Sequence, residues 1–192
     1  MSKKTRSVFS ICYNLSWFLP PENKMIETHP FGDFVPTNTQ YLLLGSFTGQ
    51  ITDVSYDWFY GTKRNLFWPI IQEVYGVSLQ SKLEKQELFS RLRMAITDII
   101  LSCERKAASN LDVNLINIIF NQEVERIVRD KNLKKIFFSS RFVEKLFRKN
   151  FKEIISEHPK IALITLPSPS PRYAAMSRAQ KVLRFRELLP SL

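Results

Sequence analysis

Cysteine, histidine and glycine are scarce in this 192-residue chain, which contains two, two and five of them. Cys12 and Cys103 stand far apart without paired spacing, so there is neither a disulfide framework nor a zinc or iron–sulfur signature. A reducing, intracellular compartment is the expectation, the cytoplasm if the source is bacterial. His29 and His158 each neighbour a proline and are isolated in sequence, so no metal site is expected. Walker and Rossmann glycine fingerprints and a serine-nucleophile motif are also missing. No apolar run reaches the length of a membrane span, and no internal repeat is evident. With 44% hydrophobic residues the chain is not of a disordered or low-complexity kind. Its length suits one full core and one domain.

Positive charge, by contrast, is plentiful and unevenly placed. Of the 28 basic and 18 acidic residues, 13 of each lie at or before residue 128, so the whole excess of +10 falls in the last third. One basic face suits a polyanion, because Lys and Arg release counterions from phosphates on binding. Lysine-rich surface helices on a soluble domain would give the same composition.

Residues 1–28 read as an N-terminal extension. Lys3, Lys4 and Arg6 precede an apolar stretch, but Ser10, Asn14 and Ser16 interrupt it and Leu19-Pro20-Pro21-Glu22 is no small-residue cleavage site, so a secretory signal is rejected. Met25 stands as an alternative start. His29-Pro30-Phe31-Gly32 is extended or turn-like and leads towards a first buried strand at 41–44. Further strands are expected at 95–101, 134–139 and 161–165, and helices from Asn65 to a Gly76 cap and over 81–94, 121–131, 141–151 and 174–189. Residues 111–120 are apolar and ambiguous. Strands alternating with helices imply a parallel sheet covered on both faces, with its site at the carboxyl ends of the strands.

The stretch from Tyr41 to Pro69 organises this pattern. Gly45-Ser46-Phe47-Thr48-Gly49 closes the first strand, and Phe59-Tyr60-Gly61-Thr62-Lys63-Arg64-Asn65-Leu66-Phe67-Trp68-Pro69 opens the first helix. Together they resemble the first motif of the uracil-DNA glycosylase superfamily, nearest to its hypoxanthine-DNA (deoxyinosine) glycosylase branch and to the mismatch-specific uracil glycosylases. Two later pieces agree in order: the run from Ile96 to Arg105, and Leu166-Pro167-Ser168-Pro169-Ser170-Pro171. The resemblance covers residues 29–189. It implies a three-layer α/β/α domain over 29–192 with a central four-stranded, mostly parallel sheet. The activity it implies is that of a monofunctional, metal-free and cofactor-free DNA glycosylase. Its partner would be DNA containing a deaminated base, met by a monomer away from membranes.

Such an enzyme cleaves the N-glycosidic bond through an oxocarbenium-like sugar and an anionic leaving base. Fixed backbone N–H groups in the Gly45, Ser46, Phe47 turn suit that anion, though a plain tight turn would look the same. Water placement departs from the family. Most branches carry Asp or Asn where Phe47 stands, and Phe47 can neither bind nor polarise water. Thr48 likewise replaces a customary proline. Asn65 is the best substitute by its place in the Asn-x-Phe-Trp setting, and its alternative role is a helix N-cap. Asp53 and Asp57 are weaker candidates.

Tyr60 falls where relatives stack a ring on the flipped base, whereas Phe67 and Trp68 are assigned to the core. Asp98 sits among isoleucines, where an acid is costly without a donor. It matches the position that reads the base edge, and a carboxylate accepts from N1–H of hypoxanthine or N3–H of uracil. A salt bridge to Arg105 or another cation is the alternative. Ser168, Ser170, Arg172 and Tyr173 form the loop that other branches press into the duplex, stiffened here by three prolines. Leu166 stands where most branches carry His or Asn, as in the deoxyinosine-like branch, which lowers the expected activity on uracil. Hypoxanthine is therefore the first choice of base and uracil the second. Two rivals stay open: a non-catalytic DNA-binding relative, which Phe47 would permit, and a nucleotide or nucleoside hydrolase.

Overall fold

Leu42, Leu43 and Leu44 are at most 1% exposed, because the strand they form is covered on both faces. The computed structural model describes residues 25–51, 56–106 and 111–192. The reading of residues 1–24 and the candidate Asp53 lie outside them. In order, the chain forms β1 (Ile26–Thr28), β2 (Tyr41–Gly45), α1 (Phe67–Tyr75), α2 (Lys82–Arg91), β3 (Met94–Asp98) and β4 (Ile100–Arg105). A 3-10 turn at Asp112–Asn114 then leads into β5 (Leu115–Phe120), α3 (Glu123–Asp130), β6 (Lys135–Phe138), α4 (Arg141–Asn150), α5 (Lys152–Glu157), β7 (Ala162–Thr165) and α6 (Arg178–Leu188).

The central sheet has the order β3-β2-β6-β7, and every pairing in it is parallel. Side chains alternate across it, as a pleated strand requires. Leu42 and Leu44 face one core with Val124, Ile127, Val143 and Phe147, contributed by α3 and α4. Leu43, Met94, Ile96 and Phe137 face the other, with Phe67, Ile70, Phe89 and Phe185 from α1, α2 and α6. The result is the three-layer α/β/α arrangement expected from the sequence. Helix ends follow local chemistry. Gly76 caps α1 in the left-handed region at φ 64°, and Ser81–Glu84 and Ser177–Gln180 form reciprocal capping boxes on α2 and α6.

Two expectations need correction. The run 95–101 is not one strand: β3 ends at Asp98, and after Ile99 the chain enters β4, which belongs to a second, antiparallel sheet of order β1-β4-β5. Asp98 is therefore at a carboxyl end and not mid-strand. The ambiguous residues 111–120 supply the 3-10 turn and β5 of this second sheet. The short helix α5, which the sequence did not announce, follows α4 directly.

Candidate active site

The carboxyl ends of the four parallel strands deliver Ser46, Asp98, Ser139 and, just beyond β7, Ser168 to one side of the sheet. There they line a cleft of about 710 Å³, the crevice where open α/β sheets bind ligands. Of the sequence candidates, Ser46, Phe47, Tyr60, Asn65, Asp98, Ser168, Ser170, Arg172 and Tyr173 all line it. Gly45 does not. It lies behind the wall, where a Cβ would sit 1.9 Å from Asp98 Oδ1 and 2.7 Å from the Tyr60 hydroxyl. Its lack of a side chain is what lets those two groups approach the strand.

Asp98 is 5% exposed and has a donor, which is not Arg105. His29 Nε2 lies 2.9 Å from its Oδ2, and both side chains are 6% exposed. The Phe31 N–H donates to His29 Nδ1 at 3.4 Å, which leaves the ring proton on Nε2 and makes it the donor to the carboxylate. The imidazole stacks on Phe59 at 5.2 Å and meets the rings of Phe31 and Phe47 edge-on, each at 5.8 Å. His29 is thus no isolated residue. Sixty-nine positions separate the pair, so nothing local in the sequence announces it. Asn121 fixes the same corner by donating from Nδ2 to the Asp98 carbonyl at 3.2 Å.

Arg105 is engaged elsewhere. Its Nε and Nη2 donate to the two Glu27 oxygens, each at 2.9 Å, and Nη2 also donates to the Thr48 carbonyl at 3.1 Å. That fork ties the glycine turn to β1, and the guanidinium lies 5.7 Å from the Phe47 ring centre. Tyr56 holds the turn from the other side, its hydroxyl 2.7 Å from Thr48 Oγ1 and accepting from the Gly49 N–H at 3.2 Å. Burial raises the Tyr56 pKa. It was one aromatic among several in its loop, with no spacing to mark it.

Tyr60 adopts φ 57°, a left-handed conformation that costs a non-glycine residue energy and is typical of functional loops. One ring face packs on Phe67 at 4.2 Å with an interplanar angle of 26°. Its hydroxyl is buried without a hydrogen-bond partner among the described residues. Burial and the nearby Asp98 charge push its pKa well up, with Ser139 acting the other way. Phe67 and Trp68 are core residues, as expected, at 1% and 7% exposure.

Asn65 is not the N-cap of α1, which is Leu66, but lies just before it, where its Oδ1 accepts from the Phe67 N–H at 2.9 Å in a side-chain turn leading into the helix. The adjacent Leu66 N–H donates to the Pro169 carbonyl at 3.1 Å, so the start of the helix and the proline–serine loop are tied together. Within that loop the Ser170 N–H donates to Ser168 Oγ and the Arg172 N–H to Ser170 Oγ, both at 3.3 Å. Beneath it Lys181, 1% exposed, donates to the Ser170 carbonyl at 3.2 Å and lies 5.2 Å from the Tyr173 ring centre. Arg172 and Tyr173 project outward and are exposed. Asp57, the weaker candidate, pairs with Lys85 at 2.9 Å and does not line the cleft.

Asp112 also lines the cleft and was given no role from the sequence. The Ser46 hydroxyl donates to its Oδ1 at 2.8 Å. Burial, followed by the Asp98 charge, raises its pKa, while Ser46 and Arg105 oppose the rise. The available signal was the one that marked Asp98, an acid set within an apolar stretch. Among the described residues no cluster of His, Cys, Asp and Glu could hold a metal ion, and no helix is long and apolar enough to cross a membrane.

No protein-family model matches the chain, and no curated protein does. Among solved structures, the chain is similar to a solution NMR structure from Methanosarcina acetivorans provisionally assigned as a uracil DNA glycosylase. The TM-score is 0.63, with 21% identity over 85% of this chain and 99% of that one. The fold is therefore of the uracil-DNA glycosylase-like α/β/α class, in agreement with the sequence expectation.

Proposed function

We propose that the chain is a monofunctional DNA glycosylase that hydrolyses the N-glycosidic bond of a deaminated base, hypoxanthine first and uracil second. The observation that carries this reading is the cleft at the strand ends, where a half-buried Tyr60 ring and the Asp98 carboxylate line one cavity. The name borne by the similar solved structure supports the same class. A base inside a duplex cannot present its glycosidic bond to water, so the nucleotide must be flipped out. The exposed Arg172 and Tyr173 are placed to fill or brace the vacated stack, with Lys181 propping their loop from beneath.

Asp98 then reads the base edge. With Oδ2 bonded to His29 and Oδ1 lodged against Gly45, the carboxylate would accept a base N–H through a lone pair left over on its oxygens. Hypoxanthine N1–H and uracil N3–H are donors, whereas the parent adenine N1 and cytosine N3 are acceptors and are repelled. This separates a deaminated base from its parent. It does not exclude guanine or thymine, whose firmer pairing makes flipping costlier. The Ser46 and Phe47 N–H groups of the turn, which Arg105 and Tyr56 hold in place, would serve the charge that develops on the leaving base. Asn65, its Oδ1 partly committed to Phe67, still has an amide N–H2 to orient water or sugar.

The test is incubation with duplexes containing deoxyinosine or deoxyuridine, then alkali. Strand breaks at the modified position are expected, with binding that weakens as salt rises. The second reading is an inactive DNA-binding relative, favoured by Phe47 where water-positioning residues usually stand; it predicts salt-sensitive binding without breaks. Release of base from free nucleosides, indifferent to salt, would instead mark a nucleoside hydrolase.

A further inference from the structure

We propose that Asp112 is the general base that holds the attacking water and takes its proton, an inference that rests on the glycosylase reading of the cleft. Hydrolysis needs a group able to accept a proton near the sugar. Phe47 has no such group, and Asn65 is an amide with Oδ1 already accepting from Phe67. Among the described residues only two carboxylates line the cleft, Asp98 and Asp112. Asp98 is committed through Oδ2 to His29. Asp112 is held at one oxygen only: Ser46 donates to Oδ1, and no other hydrogen bond from the described residues reaches the carboxylate. A cleft-lining carboxylate with one oxygen fixed and the other without a hydrogen bond from the described residues is the arrangement that orients a water without neutralising the base.

The positions also suit a division of labour. Ser46 belongs to the turn that faces the base, and its hydroxyl hands orientation to a carboxylate arriving from the opposite sheet, on the turn that precedes β5. In the reaction the C1′–N bond breaks with its electron pair leaving on the base. The water oxygen bonds to C1′, its proton passes to Asp112, and that proton returns through solvent to the base anion. Water is consumed and the free base and abasic sugar are formed, with no other reactant. The charged or titratable groups facing Asp112 are Asp98 from β3, Arg105 from β4 and Tyr60 from the aromatic loop. Desolvation holds the carboxyl above its usual range, nearer to the working pH of a base.

Single-turnover release from the faster of the two duplexes, followed against pH, tests this. Asp112→Asn keeps the shape and is expected to slow release by about 100- to 10,000-fold, to abolish the acid limb of the profile, and to leave duplex affinity within about threefold, the scatter expected of a rate-only effect. Ser46→Ala, the second variant, removes a donor that favours the carboxylate. It is expected to shift the acid limb to higher pH, whatever it does to the plateau rate, and an unmoved limb counts against the Ser46–Asp112 contact. An active wild type matched by an Asp112→Asn variant with its acid limb intact overturns this inference alone. So does a variant that loses affinity as much as rate, because Asp112 would then be a binding residue. A wild-type chain inert on both duplexes overturns the glycosylase reading and this inference with it.

Discussion

Replacing His29 with phenylalanine isolates the contact on which Asp98 depends. A phenyl ring preserves the stack on Phe59 and the edge contacts with Phe31 and Phe47, so no large cavity opens. What disappears is the Nε2–H donor, 2.9 Å from a carboxylate oxygen in a pair of which each side chain is 6% exposed. A hydrogen bond to a charged group contributes about 1.5–3 kcal/mol, and a buried acceptor left without its partner costs its desolvation as well. For a domain of this size each kcal/mol moves the melting temperature by about 2–4 °C, so His29→Phe should melt about 3–12 °C below the wild type. The discriminating measurement is a double-mutant cycle with Asp98→Asn, by thermal or urea unfolding. If the histidine acts through the carboxylate, the two substitutions should couple by about 1 kcal/mol or more. Coupling within about 0.3–0.5 kcal/mol of zero, the scatter for independent sites, would refute the assignment of His29 as the donor that permits a buried Asp98. In glycosylase assays on deoxyinosine duplexes, His29→Phe and Asp98→Asn should lose activity together.

Gly45→Ala should be severe for so small a change. The new methyl group overlaps Asp98 Oδ1, and forcing the carboxylate aside is expected to cost about 1–3 kcal/mol and to abolish base release; an unshifted urea midpoint would count against it. Tyr60→Phe removes a buried hydroxyl that has no hydrogen-bond partner within normal geometry among the described residues, so stability should hold or rise by about 1 kcal/mol, and a loss of that size on melting would show that Ser139 bonds it after all. Asp112→Asn should stabilise the fold at neutral pH. Because the folded carboxyl titrates above the reference value of 3.8, the folded chain keeps a proton between the two values that the unfolded chain has released, and wild-type stability falls as pH rises through that window. The advantage of the asparagine variant should therefore shrink on acidification and vanish below that reference value; an advantage independent of pH would oppose the desolvation account.

Features of the site carried by contiguous residues were legible, and those made by chain crossings were not. The glycine turn, the Asn-x-Phe-Trp helix start and the proline–serine loop each occupy a short stretch, and all converge on the cleft. The Gly76 cap is likewise a local matter of left-handed backbone. By contrast, the run 95–101 is apolar apart from Thr97 and Asp98 because β3 and β4 are both largely buried, and no glycine or proline marks the turn at Ile99 where the chain changes sheets. Apolar residues at 115–120 do not alternate, even though the strand they form is half exposed, with Ile119 at 57%. His29–Asp98 and Ser46–Asp112 join residues 69 and 66 positions apart, beyond any periodicity in the sequence. Arg105 was the natural partner for Asp98 by proximity in sequence. The change of sheet at Ile99 carries its side chain instead to Glu27 and Thr48.

That geometry also accounts for phenylalanine at position 47. Its ring meets the His29 imidazole edge-on and lies beneath the Arg105 guanidinium, beside the partner of Asp98. A carboxylate there would bring a second negative charge and its hydration shell against Asp98, weakening the donor geometry needed to tell a deaminated base from its parent. Two adjacent carboxylates disfavour each other's ionised form. Moving the acid to position 112 gives it a separate anchor in Ser46 and leaves the aromatic contact with His29 intact. Phe47→Asp should therefore not restore a more typical enzyme. It should lower activity below that of Phe47→Leu, which keeps an apolar side chain there without adding charge. Equal or greater base release by the aspartate variant would show that the water belongs at position 47 after all.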